Sequence, residues 1–304
     1  MPDPKVGVGI PSVRSGDLDG LRRALASIAE AGLDHVGTGD HISFHTGAGR
    51  DGLITAASLA VLHPTLAIYV AVYLLPLRHP VLVARQLSTL SSVAAGRLIF
   101  GVGVGGEDRH EVEVCGVDPG SRGRRMDECL QVLRGLSIGE PFSFHGQFFD
   151  LESALILPTP EPPIPIVVGG RSNAALVRAA RFGDGWLGIW NSVRRFKEAV
   201  ALIDEESVRA GRKDVRWQHA MQVWCGLGAS REEARGYLAP AMESTYKIGF
   251  ESFERYSPYG TPAEVAEFLA PYVEAGCQQF NLIPVARDAE AAIAASAEVK
   301  RLLR

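Results

Sequence analysis

The chain has 304 residues, 46% of them hydrophobic and 22% charged, a balance that supports a sizeable buried core. A formal net charge of -4, with no block of like charge, argues against a nucleic-acid or anionic-membrane partner and leaves a small molecule as the expected one. No apolar run reaches membrane-span length without Pro, Gly or charge, and Met1-Pro2-Asp3-Pro4-Lys5 lacks the basic and apolar segments of a signal peptide, so a cytoplasmic location is expected.

Residues 5–11 alternate Val and Ile with Gly as a short strand, and 18–31 carry apolar residues at helical spacing up to Gly32. Residues 35–41 form a second strand whose tip sets the Asp40 carboxylate beside the His41 imidazole. A polar loop through Asp51 then leads to a helix at 54–62. An apolar, β-branched and aromatic run at 65–77, closed by Pro76, precedes a helix at 80–95. The fourth unit is Arg97-Leu98-Ile99-Phe100-Gly101-Val102-Gly103-Val104-Gly105-Gly106, a buried strand entering a glycine-rich loop, with its helix at 121–136. Residues 141–160, with Phe142, Phe144, Phe148 and Phe149, read as an inserted hairpin. Ile164-Pro165-Ile166-Val167-Val168-Gly169-Gly170 restarts the pattern. A helix to Gly183, a strand at 185–190, a charged helix at 194–210, a strand at 217–227 and a helix at 231–246 follow. A second insertion at 247–259 groups Phe250, Phe253, Tyr256 and Tyr259 with Tyr246. Thr261-Pro262-Ala263-Glu264 is a capping box opening a helix to Gly276, and a strand at 279–284 and a helix at 289–303 end the chain.

Eight strands alternating with helices over short loops predict an α/β fold: one (β/α)8 TIM-barrel domain over residues 1–304, with insertions near 141–160 and 247–259. An open doubly wound sheet is the alternative, since both architectures bury their strands on two faces. In a barrel, function sits at the strand C-terminal ends, and Asp40, His41, the loop from Gly103 to Glu107, Gly169 to Ser172, Trp190 and Asn191 all fall there. Gly101, Gly103 and Gly106 spell G-x-G-x-x-G. However, no helix opens at once and three strand–helix units come first, so the loop reads as part of a composite site rather than a dinucleotide fingerprint. Gly169-Gly170-Arg171-Ser172, standing before a helix, could converge on the anion of a phosphate-bearing cofactor, or could be a tight turn with Ser172 as N-cap. Asp40-His41 could be an acid/base pair, His41 could be a neutral donor held in one tautomer, or Asp40 could simply cap a helix. Glu107 reads as a proton donor or a solvated loop carboxylate. The remaining histidines have no partner at metal spacing and the four cysteines form no C-x-x-C pair, so neither a metal nor a disulfide framework is expected. The aromatic residues of 246–259 could wall a pocket for a flat ligand or pack the loop onto the barrel.

Leu74-Leu75-Pro76-Leu77-Arg78-His79-Pro80, Gly96 to Gly105, Arg122-Gly123-Arg124-Arg125-Met126-Asp127-Glu128, and Pro165 to Gly170 with Phe182-Gly183-Asp184-Gly185-Trp186 occur in this order. Together they resemble the luciferase-like monooxygenase superfamily, and the Asp-His strand tip is similar to its coenzyme F420-dependent branch. The resemblance implies a TIM barrel, usually a homodimer, that binds FMN or the deazaflavin coenzyme F420 at the strand C-terminal ends. The apolar faces near 54–62 and 80–95 agree with a dimer. It further implies a non-prolyl cis peptide near Val72-Tyr73, which sets Val72 and Tyr73 at the cofactor with Asp40. His41 is implied beside the cofactor ring and Glu107 as a proton source, the two catalytic residues. Gly103, Val104, Gly105, Gly106, Gly169, Gly170, Arg171 and Ser172 are implied to hold the cofactor tail. Where some deazaflavin enzymes carry a Trp four residues beyond the His, this chain has His45, expected on the substrate side with Trp190 and Asn191. The implied activity is hydride transfer between F420 and a small organic substrate. The alternatives are an FMN-dependent monooxygenase and a non-catalytic deazaflavin-binding barrel.

Overall fold

Near-continuous apolar strands need cover on both faces, and the arrangement of the chain supplies it. The computed structural model describes residues 3–11, 16–45, 47–106 and 108–304. Its first half runs β1 (Lys5–Gly9), α1 (Leu18–Glu30), β2 (His35–Thr38), β3 (His41–Phe44), β4 (Ala48–Arg50), α2 (Gly52–Leu62), β5 (Ala67–Leu74), α3 (Pro80–Ser91), β6 (Leu98–Gly103), α4 (Arg109–Val114) and α5 (Arg122–Leu136). Then come β7 (Phe142–His145), β8 (Asp150–Ala154), β9 (Ile166–Gly169), α6 (Asn173–Phe182), β10 (Gly185–Ile189), α7 (Val193–Arg209), β11 (Ala220–Leu227), α8 (Arg231–Tyr246), β12 (Tyr259–Gly260), α9 (Pro262–Glu274), β13 (Gln279–Val285) and α10 (Ala289–Leu302).

The strands β1, β2, β5, β6, β9, β10, β11 and β13 pair in parallel in that order. β13 pairs back onto β1, which closes a (β/α)8 barrel and removes the open-sheet alternative. Tyr69, Ile99, Val167, Leu187 and Ala220 fill the barrel centre. The opposite strand faces join the helices in the main core, where Val70, Tyr73, Phe100, Val168 and Phe280 pack. Glycine makes room inside the barrel: a Cβ on Gly7 would lie 2.2 Å from the His35 ring.

Local chemistry sets the helix starts. Asp51, Ser172, Ser192 and Ser230 each accept a backbone N–H in the first turn of the helix that follows. The capping box forms, with the Glu264 carboxylate 2.8 Å from Thr261 N. Three short features differ from the sequence reading. The loop before α2 folds into the β3–β4 hairpin, and α4 stands where only a loop is expected; elements this short leave no periodic signal. β5 ends at Leu74 and residues 75–77 turn as a 3-10 helix, since Pro76 has no N–H for the ladder. Phe250 and Phe253 of the 247–259 segment pack against Leu238 and Met242 of α8.

Candidate active site

The strand C-terminal ends surround a cleft of about 590 Å3, bordered by the tips of β2, β5, β6, β9 and β10 and by Thr245 and Tyr246 at the end of α8. Asp40 and His41, adjacent in sequence, take different roles there. The buried Asp40 carboxylate forms a bidentate pair with Arg78, at 2.6 and 2.7 Å, and accepts the N–H groups of Gly52 and Leu74. Burial opposes the Arg78 charge, but the Asp40 hydrogen bonds and charge outweigh it and hold the guanidinium pKa above its ordinary value. Asp40 borders the cleft, yet its oxygens are engaged by four internal donors that tie β2 to α2 and β5. The Asp40 carboxylate thus braces the wall of the cleft that it borders.

His41 opens onto the cleft, with 37% of its side chain exposed. Its Nδ1 lies 3.1 Å from the carboxylate of Glu111, a residue of α4 whose side chain is only 3% exposed. That carboxylate also accepts Ile42 N at 2.7 Å and Ser43 N at 3.1 Å. Asp108, which caps α4, accepts His45 N at 2.6 Å, so α4 grips β3 and the residue after it through two carboxylates. Glu107 lies outside the described residues.

The floor of the cleft comes from β5. The peptide between Ala71 and Val72 is cis, one bond before Val72-Tyr73. The β5–β6 register shifts between Val70 and Tyr73. Ala71 and Val72 both pack with the barrel-centre side chains, whereas Val70 and Tyr73 face the helices. Val72 therefore lines the cleft and Tyr73 does not: its ring lies under the Arg78 guanidinium and beside Phe100. The expected cofactor contact of Tyr73 is corrected on this ground. Cβ atoms on Gly103 and Gly169 would come within 2.5 and 2.8 Å of the Val72 methyls, so these two glycines admit Val72 between them.

Val104, Gly105 and Gly106 line the cleft beside Arg122, the first residue of α5. Gly170, Arg171 and Ser172 line it at the start of α6. Ser172 Oγ caps that helix by accepting Ala175 N at 3.2 Å, which leaves its O–H free to donate. Gly170 has φ +134, and a Cβ there would meet the Ala175 methyl at 2.8 Å, so the turn itself requires glycine. Arg178, also at the cleft, is neutralised by Asp127 at 2.6 Å. Arg122 and Arg171 have no ion-pair partner among the described residues. With Asp40 neutralised by Arg78, the cleft is left with positive charge beside a helix N-terminus, an arrangement that suits an anionic ligand.

Trp190, whose φ is +50, separates this cleft from an annex of about 240 Å3 and borders both. Its ring lies 4.7 Å from Phe253 and 5.1 Å from Tyr246, with the Arg171 guanidinium 5.5 Å away. His45 lines the annex, not the main cleft. Asn191 turns inward: its Nδ2 donates to Ile189 O and its own carbonyl accepts the Tyr272 hydroxyl. The expected substrate contact of Asn191 is corrected accordingly. Among the described residues no His, Cys, Asp or Glu cluster could hold a metal, and no helix is long and apolar enough to cross a membrane.

Residues 5–279 match the family described as luciferase-like monooxygenase. The chain belongs to that family. An uncharacterized protein of Mycobacterium tuberculosis is 41% identical over 134 residues, 44% of this chain and 46% of that one. An F420-dependent glucose-6-phosphate dehydrogenase of Nakamurella multipartita is 29% identical over 181 residues, 57% of this chain and 53% of that one. An FMNH(2)-dependent dimethylsulfone monooxygenase of Pseudomonas putida is 31% identical over 240 residues, 74% of this chain and 62% of that one. The chain thus spans about half the length of the first two relatives. Its fold matches that of an F420-dependent secondary alcohol dehydrogenase with a TM-score of 0.84 at 20% identity, covering 99% of both chains.

Glu111, Arg122 and Arg178 are the site residues that sequence reasoning missed. Arg122 is part of a family motif that assigns it no role at the site, and Arg178 sits in a helix read only as an element of the barrel. Glu111 follows the glycine-rich loop by five residues, a position that signals nothing until α4 is seen to fold back on β3.

Proposed function

We propose that this protein transfers a hydride between coenzyme F420 and a small organic substrate, with His41 exchanging the accompanying proton. The observation that carries this reading is that an anchored imidazole shares one cleft with a cationic, N–H-rich cradle at the start of α6. The names of the Nakamurella relative and the alcohol dehydrogenase support it. A deazaflavin fits the residues present. Arg122, Arg171, the Ser172 hydroxyl and the free N–H groups at the α6 start would hold an anionic tail, and Ala71 and Val72 would back the ring. When bound, the cofactor supplies a two-electron hydride carrier. His41 then takes or gives the proton at Nε2, and Glu107 is the second proton carrier in this proposal. The annex walled by Trp190, Tyr246, Ile248, Phe253 and Tyr256 takes the flat apolar part of the substrate.

FMN is the second reading, supported by the Pseudomonas relative. Anaerobic incubation with F420 and a panel of alcohols, or with reduced F420 and the matching carbonyl compounds, separates them by the deazaflavin absorbance. Change without oxygen supports hydride transfer. Inertness to F420 together with oxygen consumption driven by reduced FMN overturns it. Binding without turnover on any acceptor would favour a non-catalytic carrier. The proposal includes a homodimer through α2 and α3, where Ile54, Val61 and Leu82 are 69, 75 and 64% exposed. Sedimentation velocity should show a dimer at micromolar concentration, and a monomer would contradict it.

A further inference from the structure

We infer that Glu111 is a positioning residue that fixes the tautomer of His41 and leaves an unprotonated Nε2 toward the cleft. The inference rests on the reading of His41 as the proton-exchanging group. The donor geometry decides the protonation pattern. Backbone N–H groups only donate, so the Glu111 oxygen that meets Ile42 N and Ser43 N accepts from both. His41 Nδ1 lies 3.1 Å from the other oxygen and 3.3 Å from this one, and a carboxylate has no proton to offer, so Nδ1 must carry the hydrogen of the neutral ring. Nε2 is then the acceptor, and no partner engages it among the described residues. The carboxylate is held from two sides: α4 carries it, and β3 fills its remaining acceptor positions. Apart from His41, no charged side chain pairs with it among the described residues, so this buried acid has no ion pair of its own to maintain.

The same geometry makes Glu111→Gln a selective perturbation. The amide oxygen is needed where the two backbone N–H groups converge, which turns the NH2 toward His41 Nδ1. A donor at the nearer position opposes an Nδ1–H and favours Nδ1 as the acceptor over the longer 3.3 Å contact to the remaining oxygen, so the imidazole proton is expected on Nε2 and the ring presents a donor to the cleft. The fold is kept while the imidazole is reversed, the type of change that disables a base by supplying the wrong tautomer.

Nitrogen NMR of histidine-labelled protein without cofactor, at pH about 8 and so above the ordinary imidazole range, reads the tautomer directly. The expected result is a protonated Nδ1 and bare Nε2 for His41 in the native protein, reversed in Glu111→Gln. F420 affinity should stay within about twofold, and kcat should fall about a hundredfold or more. A native spectrum with the proton on Nε2 overturns the inference. So does a Gln variant whose tautomer and kcat both match the native protein. If Glu111→Gln does not fold, the native spectrum still decides. If the native tautomer is as stated but His41→Ala retains turnover, the positioning by Glu111 stands and the proton-exchange reading of His41 fails.

Discussion

His35 opens β2 and His41 follows it, and the two ends of the barrel make different use of the same side chain. His35 lies inside the barrel near the strand N-termini, with its ring 5.5 Å from Tyr69, its Nε2 against the Asn281 side chain and its Nδ1 without a partner. Burial pushes its pKa down to about 4, although the Asn281 hydrogen bond pulls the other way. His41, six residues on, has a carboxylate on one nitrogen and the cleft before its ring. The N-terminal end of the barrel thus keeps an imidazole neutral and enclosed, whereas the C-terminal end anchors one and exposes it. Position along the strand, not residue type, separates the enclosed histidine from the cleft-facing one here.

The largest effect expected from this contrast is on catalysis. His41→Ala should lower turnover by roughly two to four orders of magnitude, the usual range for a lost general acid–base group, with F420 affinity little changed. His35→Phe should leave turnover per folded molecule near native, so equal losses from both changes would break the comparison.

A second contrast lies between Asp40 and Glu111, the buried carboxylates on either side of His41. Asp40→Asn leaves the Arg78 guanidinium, 16% exposed, without its charge partner and should destabilise the fold by about 3–5 kcal/mol in denaturant unfolding. Cofactor affinity of the folded fraction should hardly move. A large affinity loss without destabilisation would favour the ligand role that Asp40 has in the sequence reading.

Acid tests the enclosed end. His35 and His219 are both depressed by burial from 6.5 to about 4, so between these values the unfolded chain binds protons that the folded one refuses. The stability they contribute is complete above pH 6.5 and is lost as pH falls toward 4, about 3 kcal/mol for each histidine. Melting temperature followed down this range should drop, and His219→Phe should flatten the slope; an unchanged slope would mean that His219 is not held neutral. The smallest effect is expected at the cationic rim, where Arg122→Gln and Arg171→Gln should each weaken cofactor binding about tenfold and reduce its salt dependence. Salt-independent binding in the native protein would contradict the anion cradle.

The barrel was legible because buried parallel strands read as apolar runs and because caps such as Thr261-Glu264 mark helix starts. Closure was not, since the pairing of β13 with β1 joins residues that no local pattern links. The strand tips pointed to the cleft, but side-chain direction within it did not follow. The β5 register shift sends Tyr73 to the helices, and Asn191 satisfies its own backbone turn. Glu111 and Arg122 were hidden for a different reason: their roles depend on where α4 and α5 return to the barrel.

Titration of the purified protein with F420 and, separately, with FMN, each followed by ligand fluorescence, tests the central claim most directly. The account predicts saturable F420 binding with Kd at micromolar or below and much weaker FMN binding. Equal or preferential binding of FMN would contradict it.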